Sequence, residues 1–220
     1  MCGIVGITNN INDNNINEEL VQALTYLQHR GQDSAGIAIV EKSEKINIHK
    51  NLGLVSQVFA QKVEFTGFVG IGHVRYSTQG NINVDEAQPF YTNSPFGITL
   101  AHNGNLTNVD YLKDYLDKCE RHINTNSDSE ILLNVLAVHL IRNDMDILHA
   151  MQDTMKLLKG SYSVVVAHNK LGLIAFRDPN GTRPLCIGAI QDDKTKGFMI
   201  ASESVAFTGS QYKYLRDIRP

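Results

Sequence analysis

A cysteine stands directly behind the initiator methionine in "MCGIVGI", where chain ends usually fray and an exposed thiol is a hazard. Three readings compete: a lipid-modified cysteine, an accident of a strand start, or a nucleophile whose place at the chain end is itself the chemistry. A lipoprotein leader puts an apolar run before its cysteine, and only Met1 precedes Cys2; myristoylation requires glycine at the second position. The lipid reading is rejected, and the other two stay open.

Other stretches carry chemistry in combination rather than singly. "FVGIGHVRYSTQG" ends a strand on Arg75, Tyr76, Ser77 and Thr78, and the planar fork of arginine grips a carboxylate in two places, although a lone arginine is more often a surface ion pair. In "LAHNGNLTN" the pair Asn103-Gly104 is either a tight turn or a pair of donors, the Asn103 amide and the Gly104 N–H, aimed at a developing oxyanion. "NSDSEIL" fits a capping box of Ser127 and Glu130, so Asp128 either favours the positive end of a helix or holds an ammonium. Arg75 and Asp128 together would hold the two charged ends of an α-amino acid. "QHRGQDSAG" and "RDPNGTRPL" read mainly as loop-fixing turn formers. His29, His73 and His102 fall near these loops, but nothing in the spacing pairs one of them with a cysteine in the papain manner.

The elements that must position these groups follow from periodicity. Residues 2–7 read as a first strand, leading into the polar run "TNNINDNNIN" as a loop. Leu20, Ala23, Leu24 and Leu27 mark a helix over 17–29, which feeds a hairpin of strands at 36–41 and 45–50. "FVGIGHVRYST" and "FGITLAH" read as strands, 108–120 (capped by Thr107) and 128–142 as amphipathic helices, and "GSYSVVVAH", "LGLIAFRD", "RPLCIGAI" and "GFMIAS" as an antiparallel meander. Several of these runs lack strict alternation, as strands covered on both faces do. The order predicts an α+β layered sandwich.

Composition narrows the partner classes. The 220 residues, 42% of them hydrophobic, suffice for one large domain. A net charge of -3 with both signs mixed gives no basic stripe for nucleic acid. No segment approaches the length of a membrane span. Three scattered cysteines, Cys2, Cys119 and Cys186, form neither a disulfide framework nor a zinc-binding spacing, and a reducing, cytoplasmic setting is expected.

"MCGIVGI", "LQHRGQDSAGIA", "IGHVRYSTQG", "EAQPFY", "LAHNGNLTN", "SDSEILLN" and "FRDPNGTRPLCIG", in that order, make the chain resemble the N-terminal glutaminase domain of the glutamine amidophosphoribosyltransferases, from residue 2 to about the C-terminus. The glucosamine-6-phosphate synthase branch typically has Trp after the arginine, where this chain has Tyr76. The resemblance implies a four-layer αββα sandwich of two antiparallel sheets, the N-terminal-nucleophile hydrolase fold, as a single domain over 2–220. It implies removal of Met1, with Cys2 as nucleophile and its own α-amino group as base, since a terminal amine with pKa about 7.7 is partly unprotonated near neutrality. Asn103 and Gly104 would bind the oxyanion, and Arg30 and Gly31 would support the nucleophile and close over the substrate. Arg75 and Thr78 would take the α-carboxylate of L-glutamine and Asp128 its α-amino group, with Tyr76 and Ser127 in the same substrate-binding set. No metal or cofactor is expected in this domain. The parent enzymes add a phosphoribosyltransferase half, absent from these residues, that uses Mg2+ with phosphoribosyl pyrophosphate to make phosphoribosylamine for purine synthesis, in a homo-oligomer. The alternatives are the glutaminase domain of another branch, such as the glucosamine-6-phosphate synthases, or a non-catalytic regulatory domain.

Overall fold

The computed structural model describes residues 1–9, 16–76, 83–191 and 196–220. Most of the Asn-rich loop, and Thr78, lie outside the described residues. Two sheets carry the fold. The larger is ordered β11 (Tyr212–Asp217), β9 (Cys186–Ile190), β10 (Gly197–Ala201), β1 (Gly3–Asn9), β4 (Val69–Arg75), β2 (Ser34–Val40) and β3 (Ile46–Leu52). The smaller is ordered β5 (Phe90–Thr92), β6 (Ile98–Leu106), β7 (Gly160–His168) and β8 (Gly172–Arg177). Every described strand pair is antiparallel.

Side-chain alternation builds the layers. On β1, Val5 and Ile7 join Leu20 and Leu24 of α1 (Ile16–Tyr26) in one core, whereas Ile4 meets Ala101, Val165 and Ala167 of the smaller sheet in another. The outer face of the smaller sheet, with Leu100, Val164 and Val166, packs under α3 (Val109–Asp117), α4 (Asp128–Arg142) and α5 (Ile147–Leu157). The result is the expected four-layer sandwich, helices outside and two sheets face to face within. A one-turn helix, α2 (Val55–Val58), closes the edge beside β2 and β3.

Several local expectations change. The Asn103-Gly104 pair is no turn. Both residues lie inside β6, opposite Ser163 and Tyr162 of β7, because the nine-residue β7 pairs along the whole of β6. The capping box forms by half: the Ser127 hydroxyl accepts from the Ser129 N–H at 3.3 Å, but the Glu130 carboxylate turns to the N–H groups of Asn124 and Thr125 at 2.9 and 2.7 Å. Thr107 does not cap α3. Asn108 stands at that position, and its side chain instead ties the loop to Leu157 and Lys159. α4 is buried all round from Ser129 to Leu140 rather than amphipathic, since sheet and neighbouring helices cover it. The late strands are antiparallel but split, β7 and β8 to the smaller sheet and β9 and β10 to the larger.

Candidate active site

β1 runs in the middle of the larger sheet, hydrogen-bonded to β10 on one side and β4 on the other. Cys2 sits one residue before it, on the parity of Ile4 that faces the smaller sheet. A terminus that would ordinarily fray is thereby held at the mouth of the sandwich. There it opens on a cavity of about 340 Å3 lined by Cys2, Arg75, Tyr76, Asn103, Gly104, Ser127 and Asp128. Seven of the ten expected site residues thus line one cavity. Thr78 lies outside the described residues, and Arg30 and Gly31 stand behind the nucleophile rather than in the cavity.

The Cys2 Sγ lies 4.0 Å from the carbonyl oxygen of Tyr76. Burial pushes the thiol above its ordinary pKa, and the Tyr76 carbonyl contact, the chain-terminal ammonium and Arg75 only partly oppose that rise. A thiol so placed stays protonated near neutrality and needs a local base. Behind it, Arg30 donates from Nε to the Cys2 carbonyl oxygen at 2.8 Å and is itself ion-paired to Glu203. Gly31 follows in a turn pressed against β4, where a Cβ would come within 2.5 Å of the Arg75 carbonyl carbon. No larger residue fits that approach.

Arg75 ends β4 with Nη2 on the Glu86 carboxylate at 2.5 Å, while its buried Nη1 has no partner among the described residues. Asp128 opens α4 and accepts the Leu106 N–H at 2.9 Å, which ties the helix start to the end of β6. Burial works to raise its pKa, but the His102 ring, the Leu106 N–H and the Ser129 hydroxyl outweigh that and hold the carboxyl below its usual range. Asp128 is therefore an anion beside the cavity. Asn103 is buried with its Nδ2 unpartnered among the described residues, a donor in want of an acceptor. At Gly104 a Cβ would fall 2.1 Å from the Ser161 carbonyl oxygen, so β6 and β7 can close only on glycine.

The sequence reading missed Gln88, Asn105, Ser129 and Arg183, which line the same cavity, and gave no role to His102, which lines it as well. The Gln88 side chain exchanges hydrogen bonds with the His102 main chain, at 2.7 and 3.3 Å, and so prolongs the β5 pairing by a side chain. Nothing in its immediate neighbourhood signals that role. Arg183 was legible only as part of a turn. Asp178, buried at its base, accepts from the Asn180 and Thr182 N–H groups and from Tyr162 of β7, and this loop delivers Arg183 to the cavity.

The family model described as a glutamine amidotransferase domain matches residues 73–209, more than half of the chain. The chain belongs to the glutamine amidotransferase domain family. This amidotransferase domain is 46% identical to the amidophosphoribosyltransferase of Pasteurella multocida, 47% to that of Escherichia coli and 44% to that of Saccharomyces cerevisiae, in each case over 100% of the chain and 45% of the relative. It superposes on a solved allosteric regulatory enzyme of purine biosynthesis with a TM-score of 0.86 at 33% identity, covering 99% of this chain and 45% of that one. The glutamine phosphoribosylpyrophosphate amidotransferase of B. subtilis, solved with ADP and GMP, gives 0.84 at 33% identity and the same coverage. The chain spans less than half the length of the curated relatives it matches.

Proposed function

We infer that this chain is the glutaminase half of an amidophosphoribosyltransferase, hydrolysing L-glutamine to glutamate and releasing ammonia. The observation that carries the reading is one cavity holding a terminal-side thiol, two unpartnered buried donors and charges of both signs. With Met1 removed, the Cys2 α-amine takes the thiol proton as sulfur adds to the γ-carboxamide carbon. The developing oxyanion meets the Asn103 amide and the Gly104 main chain. The amine then returns the proton to the leaving nitrogen as the C–N bond breaks, ammonia departs, and a thioester remains. Water, deprotonated by the same amine, adds to the thioester, and glutamate leaves as the thiol is restored.

Substrate orientation is assigned by charge. The free Nη1 of Arg75, with Thr78, takes the α-carboxylate and Asp128 the α-ammonium, while Tyr76 and Ser127 shape the wall around them. Arg30 and Gly31 keep the nucleophile and Arg75 in place from behind.

The high identity to amidophosphoribosyltransferases favours that branch over the glucosamine-6-phosphate synthases and over a non-catalytic domain. On this reading the ammonia is used by a phosphoribosyltransferase half to make phosphoribosylamine from phosphoribosyl pyrophosphate, in a cytoplasmic homo-oligomer without nucleic-acid or membrane partners. Mg2+ would belong to that other half, with the phosphoribosyl pyrophosphate it serves. Among the described residues no helix is long and apolar enough to cross a membrane. The test is to treat the protein with a diazo-ketone analogue of glutamine and to locate the adduct by mass spectrometry. Loss of one methionine in the intact mass and a single adduct on Cys2 are expected; labelling elsewhere, or undiminished in Cys2→Ser, overturns the assignment.

A further inference from the structure

The segment after β10 reaches across the sheet to the first residues of the chain. Ser202 exchanges two hydrogen bonds with Ile4, its N–H donating to the Ile4 carbonyl and its hydroxyl accepting the Ile4 N–H, both at 3.0 Å. Next to it, Glu203 places one carboxylate oxygen on Arg30 Nη1 and the other 3.1 Å from His29 Nε2. Arg30, 5% exposed, turns its Nε to the Cys2 carbonyl oxygen. The carbonyl carbon shares its Cα with both the amine and the CH2–S arm. Fixing the carbonyl therefore anchors the backbone from which the two reacting groups project.

The same contact raises a matter of charge. A guanidinium this buried is held so close to a nucleophile only with an anion to balance it, and the carboxylate on it is Glu203. The charged and titratable groups around Cys2 are Arg30 from the turn after α1, Arg75 from β4 with Tyr76 directly after it, Asp128 from the start of α4, His102 from β6 and Arg183 from the 178–183 loop. Arg75 already has Glu86 as counter-ion.

We propose that Glu203 is a positioning residue for the nucleophile: it holds the Arg30 guanidinium on the Cys2 carbonyl and cancels its charge beside the Cys2 amine and thiol. The proposal deepens the glutaminase reading and rests on it for the role of Cys2.

The test compares Glu203→Gln, Glu203→Asp and, as a control, His29→Gln in protein whose loss of Met1 is verified by intact mass. Two readouts are taken across pH: glutaminase kcat and KM, and the alkylation of Cys2 by iodoacetamide, located by mass spectrometry. Glu203→Gln lowers kcat by about 10- to 100-fold with KM within about twofold, as misplacement of a reacting group does. It also leaves Arg30 uncompensated, which disfavours the ammonium and favours the thiolate. The acid limb of kcat/KM and the alkylation midpoint both move down by about half a pH unit, the size expected of one screened charge. Glu203→Asp, which keeps the charge, leaves both in place, as does His29→Gln. Unmoved midpoints in Glu203→Gln overturn the proposal, and so does a fall in kcat accompanied only by a lowered melting temperature. Should Glu203→Gln not fold, Glu203→Asp and the double variant Arg30→Gln/Glu203→Gln decide: both keep the wild-type midpoint, and a displaced midpoint in either overturns the charge role. A wild-type protein that releases no glutamate and takes no diazo-ketone at Cys2 refutes the glutaminase reading instead, while the alkylation midpoints still judge Glu203.

Discussion

The layers under the helices and the layer between the sheets are filled differently. Beneath α3 to α5 and beneath α1 the buried apolar side chains are mainly Leu, Ile, Val and Ala with a few aromatics, and the buried polar ones on α4 and α5, Glu130, Asn134, His139 and Thr154, are all hydrogen-bonded. Between the sheets the filling is also aliphatic at one end, with Ile4, Ala38, Val40, Ala101, Val165 and Ala167. At the cavity end the same strands, on the same parity, present Ser34, His73, Asn103 and Ser163, all buried and all with polar side-chain atoms unpartnered among the described residues. Unpaired buried polar atoms oppose folding. Their grouping at one end of one layer, with only scattered cases elsewhere such as Asn17 Oδ1 and the Tyr162 hydroxyl, marks the polar end as the part kept for chemistry, while the outer layers stabilise the domain.

That division can be broken at its sharpest point first. Cys2→Ser is expected to lower glutamate release by about 10^3-fold or more while the unfolding free energy moves by less than about 0.5 kcal/mol. A coupled glutamate assay and a denaturant melt on the same sample decide it. The converse is Leu136→Ala in α4, fully buried in the outer core: a loss of about 2–5 kcal/mol in stability, with kcat per folded molecule unchanged. A large fall in kcat at a temperature where the variant is folded would contradict the separation of roles.

His73 sharpens the comparison through pH. It is wholly enclosed, near the His102 main chain without meeting hydrogen-bond geometry, and burial foremost, then Arg75 and His102, depress its pKa from 6.5 to about 3. A ring neutral in the folded state and basic in the unfolded state contributes stability in full above pH 6.5 and loses it progressively as pH falls toward 3. Between pH 7 and 4.5, His73→Phe should therefore lose about 2–3 kcal/mol less than the wild type in denaturant unfolding; parallel losses would mean that the ring is not held neutral. The smallest effect is on substrate affinity. Asp128→Asn keeps the shape but removes the anion, and should raise KM for glutamine about 10- to 100-fold with kcat within a few-fold. Steady-state kinetics with an unchanged KM would remove Asp128 from the ammonium site.

Helices and strands with clear periodicity were legible, as were the residues whose chemistry is unusual for their place. The limits of α4 coincide with the expected 128–142, because Ser127 and Asp128 mark its start and Leu and Val its length. α5 went unread although Asp146 caps it through the Leu148 and His149 N–H groups; only Ala150 and Thr154 within it are fully buried, so its apolar stripe is narrow. β5 is three residues long and β11 is mostly exposed, too little pattern for a period-two reading. Cys2, Arg75 and Asp128 could be singled out from type and spacing. Gln88 and Glu203 could not, since each acts through a partner well removed along the chain, His102 and Arg30, and nothing in the turn that Asp178 organises says that Arg183 reaches the cavity.

That separation has a consequence for how the molecule comes into being. β1 is made well before either of its neighbours, at residues 69–75 and 197–201. β1 must wait with an open edge through most of synthesis, and the Cys2 carbonyl is not clasped until Glu203 exists. The nucleophile is the earliest residue of the site to be synthesised and the last to be locked. Folding of so non-local a pairing is slow, and an incomplete chain carries the nucleophile without the donors and charges that would direct it at a substrate.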